Sequence, residues 1–166
     1  MKKIIILFLM FSAIVFAEWK YGITHNEHGV NFHEFAVYDS ETYSLLIVSV
    51  SLDVGNGFSV VEIYNDDVKK NDNLKLYIKD NSDDTMNYSI FKNDIEDGRI
   101  AIQNLDRYNR GDTLTKILVS AQSVELYDGD TYDTLSTFNL KGLEQILEKK
   151  LGNSDWYKYK LFGNWK

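Results

Sequence analysis

Between Leu74 and Lys79 apolar and polar residues alternate without a break, with Leu74, Leu76 and Ile78 on one side and Lys75, Tyr77 and Lys79 on the other. A period of two marks an extended strand with one buried face, because successive side chains point to opposite faces of a sheet. Similar short runs, rich in β-branched and aromatic residues, occur at Ser44 to Asp53, Phe58 to Tyr64, Thr85 to Lys92, Arg99 to Gln103, Leu114 to Ser120, Ser123 to Tyr127 and Thr131 to Phe138. Between them lie residues that accept tight turns: Asn56-Gly57, Asn81-Ser82-Asp83-Asp84, Asp97-Gly98 and Asp128-Gly129. Short turns join antiparallel neighbours, so the expected fold is mainly β, an antiparallel β-sandwich or curved meander sheet. The nearly all-apolar Leu45 to Val50 is expected to lie centrally, with both faces covered.

One segment follows a different period. Leu143, Ile146, Leu147 and Leu151 fall on one helical face while Glu144, Gln145, Glu148, Lys149 and Lys150 fill the other. Lys149 and Lys150 suit the negative end of a helix dipole, and Gly152 is a natural left-handed stop. The pattern predicts one C-terminal amphipathic helix over 140–151, closing a body of residues 18–152. Residues 153–166 form an aromatic tail in which Trp156, Tyr157, Tyr159, Leu161, Phe162 and Trp165 are interleaved with Lys158, Lys160 and Lys166. Its alternation reads either as an added edge strand or as a recognition segment. Trp156, Tyr157, Tyr159, Phe162 and Trp165 are the candidate partner-binding residues.

The first residues address the chain to a compartment. Met1-Lys2-Lys3 precedes an apolar run from Ile4 to Ala13, and Val15 and Ala17 set small residues where signal peptidase reads them. Residues 1–17 are expected to be a cleaved secretory signal, since the run is too short to span a bilayer. The 166-residue chain carries 18 basic and 25 acidic residues, a formal charge of −7 that becomes −9 once Lys2 and Lys3 leave. An acidic chain lacks the basic face that duplex nucleic acid requires. With no Cys there is no disulfide framework, thiol nucleophile or Cys-ligated metal, so an exported, periplasmic or extracellular, protein of this kind must rely on packing.

The order of the Leu74 to Lys79 strand, an acidic turn, several hairpin strands, Leu118-Val119 with Val124-Glu125-Leu126, and the closing run Phe138-Asn139-Leu140-Lys141-Gly142-Leu143 before a helix resembles small exported bacterial proteins of the invasion-associated locus B type. The resemblance covers Leu74 to Leu151 and is one of pattern. It implies an exported β-sandwich and carries over no catalytic residue. The absence of Cys departs from the many members of that type that hold disulfides.

Candidate chemistry is sparse. His25, His28 and His33, with Glu34 beside the last, are ligand types for zinc, nickel or copper, although no second His stands four residues after His33 as a helical metalloprotease motif would need. Asp128-Gly129-Asp130 with Asp133, Asn71-Asp72-Asn73, and Asp80 to Asp84 offer oxygen ligands to calcium without EF-hand order. Turn formation alone explains them. Arg110-Gly111-Asp112 spells an adhesion tripeptide, and reads equally as a polar turn before the Leu114 strand. No Gly-x-Ser-x-Gly elbow, phosphate loop or cofactor fingerprint occurs. Two readings stand. The favoured one is a non-catalytic exported binding protein that meets a protein, glycan or envelope component. The alternative is a small metal-dependent or hydrolytic enzyme using His25, His28 and His33.

Overall fold

The computed structural model describes residues 18–70, 72–104 and 109–163. The expected signal segment, Asn71 and Trp165 lie outside the described residues. Ten strands follow one another as β1 (Lys20–His25), β2 (Asn31–Asp39), β3 (Ser44–Ser51), β4 (Phe58–Tyr64), β5 (Leu74–Asp80), β6 (Thr85–Ser89), β7 (Ile95–Glu96), β8 (Arg99–Ile102), β9 (Ala121–Asp128) and β10 (Thr134–Asn139). Among the described residues there are two α-helices, α1 (Arg110–Val119) and α2 (Leu143–Leu151), with a π-helical turn at Trp156–Leu161. The described residues are mainly β, with 44% strand against 21% helix. Among the described residues no helix is long and apolar enough to cross a membrane.

The strands divide between two antiparallel sheets rather than running as one meander. The larger has the order β1-β2-β3-β4-β8-β7 and the smaller β10-β9-β5-β6. β3 lies inside the larger sheet between β2 and β4, as its apolar run requires, with Leu46, Val48 and Val50 fully buried. In β4 the alternation places Ser59, Val61 and Ile63 inward. In β5 it does the same for Leu74, Leu76 and Ile78. These residues join one apolar cluster with Leu114 and Leu118 of α1, Leu143 and Leu147 of α2, and Trp156 and Leu161 of the tail.

Four expectations are corrected. Leu114 to Ser120, read as a strand, is helical from Arg110 to Val119, so α2 is not the one helix of the body. Gly111, Leu114, Thr115 and Leu118 are buried along one helical face that a window opening at Leu114 truncates. The helix also removes Leu118-Val119 from the strand pattern on which the family resemblance draws. Residues 20–25 and 31–39, not read as strands, form the β1–β2 hairpin, whose outer strand is too exposed to show an apolar face. Gly152 keeps a right-handed conformation (φ −57°), so the chain does not stop there but turns on into the tail. The tail itself is helical at Trp156–Leu161, where alternation suggested an edge strand.

Candidate functional site

The sequence-derived candidates scatter. His25 ends β1, His28 sits exposed in the following turn, and His33 lies in β2 opposite Ile23. Tyr21 Oη and His33 Nδ1 share a 2.8 Å hydrogen bond. Burial pushes the His33 imidazole below its ordinary pKa, against the opposing pull of Asp53. Asp53 is itself held below the usual carboxylate range, first by the Asn31 backbone and amide groups that donate to it at 2.8 and 2.7 Å. Among the described residues no group of three or more His, Asp or Glu is gathered as a metal site. The Asp80 and Asp128 carboxylates each accept two backbone N–H groups of their own turns, from Ser82 and Asp84 and from Asp130 and Thr131.

Arg110-Gly111-Asp112 faces inward. Arg110 reaches both oxygens of Asp94 at 2.8 and 2.6 Å, and Asp112 is 1% exposed. Asp112 accepts from Ser59 N–H (2.7 Å), Ser59 Oγ (2.9 Å), Trp156 Nε1 (2.9 Å) and Asn104 Nδ2 (2.9 Å). Lys160 Nζ lies 3.8 Å away and donates to the Gly57 carbonyl. The Asn104 amide oxygen meanwhile accepts the N–H groups of Gly111 and Asp112, capping α1 from outside the helix. A Cβ at Gly111 would stand 2.0 Å from the Ser59 carbonyl, so this Gly serves the close approach of α1 to β4. Trp156, expected among the partner-binding aromatics, is therefore an interior residue, and Tyr157 is partly buried beside it. Only Tyr159 and Phe162 of the described tail aromatics are exposed.

The exposed aromatic surface with a feature of its own lies elsewhere. Tyr43, in the β2–β3 turn, and Tyr132, in the β9–β10 turn, are 80% and 76% exposed. Both hold a left-handed backbone, φ 56° and 63°. The third such non-glycine residue, Asp83, is of a type that tolerates this region, whereas a bulky aromatic there is an outlier. The two turns share a pentapeptide pattern: Asp39-Ser40-Glu41-Thr42-Tyr43 and Asp128-Gly129-Asp130-Thr131-Tyr132. In each the leading Asp closes the turn on itself. Asp39 accepts from Glu41 N–H (3.0 Å) and Thr42 Oγ1 (2.7 Å), and Asp128 from Asp130 N–H (2.7 Å) and Thr131 N–H (3.1 Å).

Side-chain bonds draw these turns toward the same end of the molecule. Asn65, just past β4, donates through Nδ2 to Ser44 Oγ (2.9 Å) and to the Leu135 carbonyl (3.1 Å), linking the residue after Tyr43 to the start of β10. The Thr137 N–H donates to Asp39 at 2.9 Å. Burial pushes the Asp39 carboxyl up, but the donors Thr137 N–H, Thr42 Oγ1 and the N–H groups of Glu41 and Thr42 outweigh it and hold the group below its ordinary value. The rings of Tyr38 and Tyr43 meet edge to face at 6.4 Å. The signal that would have found this site is the pentapeptide itself, repeated once in each sheet. No family model, curated protein or solved structure matches the chain, so the site is read from its own geometry.

Proposed function

We propose that the chain is an exported, non-catalytic binding protein, a closed two-sheet β-sandwich whose recognition surface is the end carrying Tyr43 and Tyr132. The carrying observation is that two aromatic residues, one on each sheet, occupy left-handed turn positions with about four-fifths of their surface in water. Holding a non-glycine residue there costs roughly 1–3 kcal/mol, and Asn or Gly in its place would avoid much of that cost. Strain of this kind, with little packing return beyond the edge-to-face contact of Tyr43 with Tyr38, suits a contact surface. Tyrosine supplies a broad, rigid, amphipathic face that loses little conformational entropy on binding. The neighbouring carboxylates of Glu41, Asp130 and Asp133 add acceptors for the hydroxyl or cationic groups of a protein, glycan or other envelope component. The shared apolar cluster and the cross-sheet bonds of Asn65 and Asp39 support the sandwich.

Export rests on the signal pattern of residues 1–17, and the burial of Trp19 supports a body that starts directly after it. Intact mass of the exported protein is expected to begin at Glu18, and recovery of the full-length chain from membranes would contradict this. The recognition surface is tested by retention of envelope extract on immobilised mature protein. Wild type is expected to hold a defined component that the Tyr43→Asn/Tyr132→Asn variant releases, and equal retention by both would remove the reading.

A further inference from the structure

A sheet that ends in an open strand presents unpaired N–H and C=O groups, and folded proteins blunt such edges with charge, brevity or a cover. Three of the four edges here are blunted. β7 has two residues and carries Glu96, and β1 carries Lys20 with Gly22 in its interior. β10 has two of its outward groups engaged, Thr137 N–H by Asp39 and the Leu135 carbonyl by Asn65. β6 differs from all three. Thr85-Met86-Asn87-Tyr88-Ser89 contains no charge, and among the described residues no strand pairs with its outer side.

The register shows which groups are open. Ile90 N–H donates to the Leu74 carbonyl and Asp80 N–H to the Asp84 carbonyl, with Lys75 opposite Ser89. Bonded pairs alternate along an antiparallel ladder, so residues 84, 86, 88 and 90 turn toward β5. Thr85, Asn87 and Ser89 therefore turn their N–H and C=O groups away from the sheet. Met86 and Phe91, 43% and 56% exposed, leave apolar surface along the same rim.

We propose that β6 pairs antiparallel with β6 of a second copy about a two-fold axis at Asn87, joining two four-stranded sheets into one. This register engages all three outward residues within the strand, whereas a shift by two leaves one of them unpaired. Thr85 meets the partner's Ser89, Asn87 meets the partner's Asn87, and each of these pairs exchanges both backbone bonds. On the inner face Met86 comes opposite the partner's Tyr88, a favourable sulfur–aromatic pairing. Beyond the strand ends, Asp83 and Asp84 of one copy come opposite the partner's Phe91 and Ile90, and Asp83 is already held by Lys79 Nζ at 2.8 Å, so no like charges face each other along the paired strands. The edge is its own complement, which favours a second copy over a foreign strand, and an isologous contact closes at two. The formal charge of −9 on each mature chain opposes association, so salt that screens it strengthens the pair.

The test is the molar mass of the mature chain by sedimentation from micromolar concentration up to about 1 mM, at low and high salt. Twice the monomer mass at the upper end is expected, with the midpoint moving to lower concentration as salt rises. Asn87→Lys, which opposes two cations at the axis, is expected to weaken the pair at least tenfold, and so is Asn87→Glu. An equimolar mixture of the two is expected to restore a heterodimer, which shows that each variant is folded. A wild-type chain that stays monomeric throughout, a dimer that Asn87→Lys leaves intact, or a mixture that fails to associate would each overturn the proposal. None of these readings depends on the tyrosine turns.

Discussion

Aromatic side chains meet a polar network at both ends of this protein, with opposite results. Around Asp112, indole, amide and hydroxyl donors converge on a carboxylate that water does not reach, and Trp156 lies wholly inside. Around Asn65 and Asp39 the polar groups also link sheet to sheet, but Tyr43 and Tyr132 are held outward on backbones their side chains disfavour. An aromatic residue that satisfies a buried carboxylate stabilises its own fold. One kept largely in water at a strained position returns little to the fold, and the difference separates the packed end from the end proposed for recognition.

The comparison breaks most severely if the tail is removed. Truncation after Asn153 deletes Trp156 and Leu161, each 1% exposed, and takes one donor from Asp112. Loss of a buried Trp alone costs about 3–5 kcal/mol, so the truncated chain is expected to lose most of its stability in thermal or urea unfolding. A melting temperature equal to wild type would move the tail to the recognition end. Next in size is Asp112→Ala, which leaves the Ser59 N–H, the Trp156 indole and the Asn104 amide without their acceptor. A loss of about 3 kcal/mol is expected, and a loss below about 1 kcal/mol, the worth of an ordinary single bond, would show that the cluster is not a knot.

Acid sharpens the other side. The folded Asp39 carboxyl titrates below its ordinary value, so its contribution is complete above the unfolded carboxylate range near 4 and is lost as pH falls through the lowered folded value. Exchange protection of the Thr137 amide is expected to hold at pH 5 and to fall in stronger acid. Protection that declines already between pH 7 and 5 would contradict the assignment of Asp39 as its acceptor.

Legibility in the sequence followed burial. Phe58 to Tyr64 coincides with β4 and Leu74 to Lys79 with all but the last residue of β5; each has one face against the core, the first marked by β-branched and aromatic content and the second by an unbroken period of two. β1 has no such face and was silent. The run from Leu114 is short and rich in residues that suit either element, and its cap comes from Asn104, six residues before the helix begins, so the helical face shows only in a window opened as far back as Gly111. The tail's composition was plain, but what its Trp meets depends on Asp112, 44 residues away. The paired turns were visible as letters, Asp-x-acid-Thr-Tyr twice. Their left-handed tyrosines were not, since φ there is imposed by how the leading Asp closes each turn.

The most direct measurement is the thermal unfolding of the Tyr43→Asn/Tyr132→Asn variant beside wild type. Asn accepts the left-handed region, so relief of even about 1 kcal/mol of strain is expected to raise the melting temperature by about 2–4 °C. A melting temperature that falls instead, toward that of the chain truncated after Asn153, would show that the two tyrosines hold the fold together as Trp156 does.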